Sequence, residues 1–321
     1  MLELRISVPT AMSADVIGVL TQDPAVSEIA LHAGASLKPV GDVIVAAVAR
    51  EAANDVVARL RDLEVPHRGA IHLSPVESWM SSDGLAAQHL APGSGADTVV
   101  WPQVTQRAYE DAEANWTFLS LMTLATLLAA VAIVIDSQVL VIGAMVIGPD
   151  FGAIAALGVG LVQHRYRLFG RGVRSLMLGF SVAIGITATL AAIARWLGWI
   201  TRAEIVADRT GTSFIYSPDR WSLIVAVIAA SAGVLSLTSA RVGGISGAFI
   251  SVTTIPAAAN IGLALVFGIW EEVRGSVEQL ALNVSAMALA GWAALAIQQT
   301  VWARVSSRRH RFAERVRARR T

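Results

Sequence analysis

The chain has no cysteine among its 321 residues, which excludes disulfides, thiolate metal sites and cysteine nucleophiles. Charge is scarce too, at 15% of residues against 55% apolar, unlike an average soluble protein. The six histidines (His32, His67, His72, His89, His164, His310) lie outside the apolar spans and no two have zinc-ligand spacing, so no metal or other cofactor is expected. No apolar core of signal length follows Met1, so the start does not read as a signal peptide. The little charge there is lies unevenly. The net is +1, yet Arg304 to Thr321 holds eight arginines and one glutamate. Beside a membrane span such a tail reads as a topology signal in contact with lipid, and its lack of aromatics other than Phe312 argues against nucleic acid.

Before Trp116 the composition is that of a soluble domain. Leu2, Leu4, Ile6 and Val8 alternate with Glu3, Arg5 and Ser7, the period of a half-buried strand. Ser13 can cap a helix through Gln22, Val26–Leu37 and Asp42–Ala49 read as strands joined by a Pro-Val-Gly turn, Glu51–Leu63 as a helix and Gly69–Val76 as a strand. The order βαββαβ is that of a ferredoxin-like, ACT-type α+β sandwich. Such domains bind small ligands or assemble subunits, and no Gly-rich phosphate loop marks a ligand here. Ser81–Ala96 reads as a linker and Thr105–Asn115 as a connector helix. The expected domains are thus 1–80 (sandwich), 81–116 (linker and connector), 117–302 (membrane) and 303–321 (basic tail).

Six windows reach spanning length: Thr117–Ile135, Gln138–Val162, Val173–Leu197, Ser222–Ala240, Gly244–Ile269 and Val277–Trp302. Tryptophans 116, 196, 199, 221, 270 and 302 fall at or near their ends, as an interfacial belt requires. Arg165, Arg167, Arg171 and Arg174 link the second and third windows without an acid, so both termini are expected in the cytoplasm. Gly143-Ala144-Met145-Val146-Ile147 resembles Gly247-Ala248-Phe249-Ile250, and prolines follow at Pro149 and Pro256. Two units of three spans would have opposite orientations, the 3+3 inverted-repeat plan with broken helices.

The chemistry-bearing residues sit at these prolines. Pro149 lacks an N–H, so the second window is expected to break with Gly148 near the cap, Pro149 at N1 and Asp150 at N2 of a half-helix. Asp150 either satisfies free N–H groups there or faces an ion path. Ser251, Thr253, Thr254, Pro256 and Asn260 form the counterpart, their hydroxyls either repairing the helix or touching a solute. Asn283 is interhelical glue or a cavity-lining amide. Two positive helix ends favour an anion, which Asp150 opposes unless it is protonated or paired with Arg241. Gly143, Gly148, Gly152, Gly158 and Gly160 allow close backbone approach.

The run GAMVIGPD at 143–150 with SVTTIPAAAN at 251–260 resembles the bacterial membrane family known as domain of unknown function 389, over about Asn115 to Trp302. Many relatives resemble GAMLIAPLMGP at the first motif, where this chain has Gly148-Pro149-Asp150-Phe151. Similar proteins often have lysine where Arg241 stands. The resemblance implies a multi-span inner-membrane protein with a soluble amino-terminal extension, and no established activity. The expectation is a non-enzymatic transporter or channel-like protein for a small solute or ion. It would reside in the bacterial inner membrane, forming a homo-oligomer in contact with the lipid bilayer. The alternative is a membrane-anchored sensor or scaffold.

Overall fold

The alternating residues of the amino terminus form β1 (Leu2–Val8), followed by α1 (Thr10–Thr21), β2 (Val26–Leu37), β3 (Val40–Val48), a single 3-10 turn at Arg50–Ala52, α2 (Ala53–Asp62), α3 (Val65–Arg68) and β4 (Ala70–Pro75). The sheet order is β2-β3-β1-β4, and every neighbouring pair is antiparallel. Leu4, Ile6 and Val8 of β1 share one core with Val16 and Leu20 of α1 and Val56 and Leu60 of α2, so both helices cover the same face. The computed structural model describes residues 1–91, 98–206, 209, 211–212, 215–216, 220–239 and 254–318, with side chains as far as Val301.

Two expectations for this region change. Ser13 does not cap α1, which starts at Thr10 after Pro9 without a side-chain cap. Its hydroxyl instead donates to Asp42 Oδ2 at 2.6 Å, and Thr10 Oγ1 and the Gly34 N–H donate to Oδ1 at 3.2 and 2.8 Å. The Gly34 amide foremost, then Ser13 and Thr10, hold the Asp42 carboxyl below the usual carboxylate range against a burial that pushes it up. The presumed linker holds a further helix, α4 (Ser82–Leu90), whose first turn is capped by Ser81 Oγ accepting from the Gly84 N–H. Asn54 then fixes the chain beyond it, donating to the Val99 carbonyl and accepting from the Trp101 N–H.

The chain divides into two units, one on Met1–Val104, Thr238–Arg241 and Gln298–Thr321 and the other on Thr105–Leu237 and Val242–Ile297. From Trp101 onward the helices are α5 (Trp101–Asp111), α6 (Trp116–Val134), α7 (Gln138–Ile147), α8 (Asp150–Val162), α9 (Tyr166–Trp196), α10 (Arg202–Val206), α11 (Arg220–Thr238), α12 (Thr254–Phe267) and α13 (Trp270–Ala318). Among the described residues α6, α9, α11 and the Trp270–Val301 part of α13 are long and apolar enough to cross a membrane, and α7 with α8, bent by 56°, makes a fifth candidate. The fifth of the six expected windows appears as α12 alone. Its 14 residues reach about 21 Å, short of a hydrocarbon core of about 30 Å, and residues 244–253 of that window lie outside the described residues. The long helices are apolar outside as well as inside: Leu124, Met177, Ile228 and Ile297 are all more than half exposed, faces that only lipid or another subunit can cover. Trp116, Trp196, Trp221 and Trp270 stand exposed at helix ends. This is a membrane protein. The basic link after α8 is not a loop but the first turns of α9, where the Arg171 guanidinium lies 5.2 Å from the Tyr109 ring centre.

Helices recur at one separation. α6 and α11 each have 19 residues and start at Trp116 and Arg220, α8 and α12 start at Asp150 and Thr254, and α9 and α13 at Tyr166 and Trp270, every pair 104 residues apart. The turns match too. After α8 the backbone is left-handed at His164 (φ 54) and the Arg165 N–H bonds to the Gly160 carbonyl at 2.8 Å. After α12 it is left-handed at Gly268 (φ 67) and the Ile269 N–H bonds to the Ala264 carbonyl at 3.0 Å.

Candidate functional site

The helix breaks at Gly148-Pro149, one residue out of the expected phase. α7 ends at Ile147, Gly148 is extended (φ −64, ψ 125), Pro149 is the cap and Asp150 the first residue of α8. α12 begins at Thr254, and the Thr254 hydroxyl donates to Asp150 Oδ2 with both residues fully buried. Two helix N-termini, each with partial positive charge, therefore meet at a carboxylate. Thr254 thus bonds across the site, where the sequence also allowed a repair of its own helix. Pro256 does not break its helix either: it lies in the first turn of α12, where a missing N–H costs no bond. At the 104-residue separation it matches Gly152, so it is no counterpart of Pro149. Arg241, Ser251 and Thr253 lie outside the described residues.

Asn260, two turns into α12, is fully buried and is held on three sides. Its Nδ2 donates to Ser276 Oγ at 2.9 Å and to Glu272 Oε2 at 3.1 Å, and its Oδ1 receives a long contact of 3.5 Å from Arg209. Arg209 Nη2 donates to both oxygens of Glu272, at 2.7 and 2.6 Å. Their side chains are 4% and 12% exposed, so this is a buried ion pair. Arg209 also lies 5.4 Å from the Tyr216 ring centre. Gly275 lets that segment come close, since a Cβ there would stand 2.1 Å from the Tyr216 carbonyl oxygen. Asp136 anchors the other side, accepting from Thr212 Oγ1 at 2.8 Å and from the Gly211 N–H at 3.2 Å. Sequence reasoning took Arg209 and Glu272 for loop charges and missed this pair, whose members stand 63 residues apart.

A polar stripe continues along α13. Glu272, Ser276, Gln279 and Asn283 are spaced by four, three and four residues, which places them on one helix face. Ser276, Gln279 and Asn283 are fully buried. Two contacts place Asn283 toward the Asp150–Thr254 end of its helix. Asn260 meets Ser276 across the α12–α13 hairpin; stepping back six residues to Thr254 corresponds to stepping forward about as many along α13, to Asn283. Gly158 of α8 packs on the backbone of Gly291 and Trp292, and eight residues back along each helix are Asp150 and Asn283. Gln279 falls between the two clusters, and neither its Oε1 nor its Nε2 has a hydrogen-bond partner.

The glycines divide. A Cβ at Gly152, Gly158 or Gly160 would lie within 3.1 Å of a neighbour, whereas Gly143 has nothing within 4 Å. At its far end α12 is held by Arg195, which donates to the Val266 carbonyl at 2.5 Å and lies over the Phe267 ring at 5.2 Å. Among the described residues no three His, Asp or Glu side chains cluster as a metal site. With Asp150, Glu272 and Arg209 ionised, the line of polar groups carries one net negative charge.

Residues 145–289 match the family described as domain of unknown function, DUF389. The interval runs from α7 into α13 and includes Asp150, Thr254, Asn260, Gln279 and Asn283. No curated protein and no solved structure matches the chain.

Proposed function

The chain belongs to the DUF389 family, and from the geometry of its second unit we propose that it is a transporter or channel-like protein for a small solute or ion. The observation that carries this reading is the meeting of α8 and α12, both buried along nearly their whole length, at the Asp150–Thr254 bond. Interrupted helices whose ends converge inside a bundle are how membrane transporters build polar sites at membrane depth. A buried carboxylate there is costly to insert and is kept where it faces an ion or solute. In this reading the 104-residue recurrence is a 3+3 inverted repeat. The bent α7–α8 pair counts as one crossing between α6 and α9, so each set crosses three times and the second set is inverted. Six crossings put both termini in the cytoplasm of a bacterial cell, beside the arginines. No enzymatic step is assigned.

The first unit belongs to the same proposal. A β2-β3-β1-β4 order with both helices on one face is the arrangement of a ferredoxin-like, ACT-type sandwich, which regulates or assembles. Exposed Leu31 and Leu37 on edge strand β2, with Val40 beside it, support assembly of a homo-oligomer through this unit.

The test is flux in proteoliposomes of the full chain over a panel of ions and small solutes. Asp150→Asn, which removes charge and little volume, is expected to lower that flux by about tenfold or more. Wild-type protein that moves nothing, in cells whose phenotype needs Met1 to Met80, would put the sensor or scaffold in its place.

A further inference from the structure

The interior polarity of the two helix sets differs at matched positions. On α13 the stripe is Glu272, Ser276, Gln279 and Asn283; 104 residues earlier, on α9, stand Leu168, Gly172, Ser175 and Gly179. Asn260 of α12 corresponds to Ala156 of α8. The α9 positions are closed by contact: a Cβ on Gly172 would lie 2.9 Å from the Ala153 carbonyl oxygen, one on Gly179 2.8 Å from the Phe118 ring, and the Ser175 hydroxyl is bonded to the Ala112 carbonyl at 2.6 Å. The helix framework therefore does not require polar groups at these places. Burying them is unfavourable unless they are satisfied, and Gln279 is fully buried with both amide atoms unbonded.

We propose that the α13 stripe is a path for a monovalent alkali cation, leading from the Arg209–Glu272 pair past Ser276 and Gln279 to Asp150. The inference rests on the transport reading and adds to it a substrate class and a side of entry. Its chemistry follows from the lining. Hydroxyl and amide oxygens at Ser276, Gln279, Asn283 and Thr254 are hard ligands able to replace a hydration shell. With both carboxylates and the guanidinium ionised, one net negative charge along the line suits a monovalent cation and opposes anions. Neutral amides do not relay protons, which distinguishes the path from a proton wire. Arg209 closes the mouth: with its guanidinium on Glu272, the cation's first carboxylate is occupied, and release of that pair admits the ion.

The absence of cysteine permits a test that needs no turnover. Single Ser276→Cys, Gln279→Cys and Ser175→Cys variants of the full chain, in liposomes, are treated with a small cationic and a small anionic methanethiosulfonate, and labelling is followed by mass. Ser276→Cys and Gln279→Cys are expected to react about tenfold or more faster with the cationic reagent. Sodium or potassium should slow that reaction and choline should not, while Ser175→Cys, at the matched place on α9, stays unlabelled. Equal rates with both reagents, or the same effect from choline, would overturn cation selectivity. Failure of Ser276→Cys to label would overturn the path, and because that change is nearly isosteric it serves even where Gln279→Cys does not fold. Solute flux without labelling leaves the transport reading standing and removes the path; cation-selective labelling without flux does the reverse.

Discussion

The helices from α6 to α9 and those from α11 to α13 share the spacing of their starting points and the geometry of one turn, yet their interiors differ at matched positions. In the first set, glycine and alanine bring backbones together: a Cβ on Gly160 would lie 2.9 Å from the Phe169 nitrogen. In the second, the matched space holds Asn260, Ser276, Gln279 and the Arg209–Glu272 pair. Helix ends and left-handed turns are therefore enough to specify the framework. At matched positions the interior is free to be dry or polar, and the polar choice, costly in itself, falls on the stripe of the second set and on Asp150 of the first.

The most severe way to break that contrast is to remove the cation of the second set. Arg209→Ala leaves Glu272 buried without its partner and should destabilise the detergent-solubilised chain by about 3–5 kcal/mol in denaturant titration. Its matched residue, Thr105, bonds to Gln163 Oε1 at 2.9 Å, and Thr105→Ala should cost about 1 kcal/mol. Equal losses would mean that the two interiors are energetically alike. Next comes Gly160→Ala. The matched residue is already Ala264, so the same methyl group that the second set accommodates should cost the first about 1–3 kcal/mol through overpacking. Gly143→Ala, with open space around it, serves as the control and should show no loss.

The smallest effect sharpens the comparison from outside the membrane region. Asp42 is a buried carboxylate met by neutral donors, unlike Glu272 with its arginine. Its folded pKa lies below the unfolded one, so its stabilisation is complete above the ordinary carboxylate range and is lost as the pH falls through the lowered value. Amide protection in β2 and β3, taken relative to the unfolded chain at the same pH, should fall on that acid limb in wild type, and Asp42→Asn should lower it at neutral pH and remove the limb. Retention of the wild-type acid limb in Asp42→Asn would assign it to another group.

Local signals were legible. The period of two at Leu2–Val8 and the loss of an N–H at Pro149 each depend on residues adjacent in the chain: β1 stands where the first placed it and the break lies one residue from the expected phase, while the turn expected at Pro39-Val40-Gly41 is shorter because β3 already starts at Val40. The match of Gly143-Ala144 to Gly247-Ala248 carried the 104-residue spacing in plain view. Pairing Pro149 with Pro256 missed that spacing by three residues, because a proline in a first turn and a proline at a break look the same in sequence. Ser81–Ala96 looked like a linker through its Ser, Gly and Ala content, which conceals the cap that starts α4. The ion pair was illegible for another reason. Arg209 and Glu272 each read as interfacial charge, and only the close approach allowed by Gly275 brings their segments together.

α12 is clasped at both ends, by Asp150 on its Thr254 hydroxyl and by Arg195 on its Val266 carbonyl. A helix of this length, wrapped by protein on every side from Thr254 to Ala264, behaves as a stiff strut. Tilting it alone would break the bond at one end or the other, so its placement depends on two contacts about 20 Å apart. The ends of this helix are thus fixed by side chains from two other helices, α8 at Thr254 and α9 at Val266.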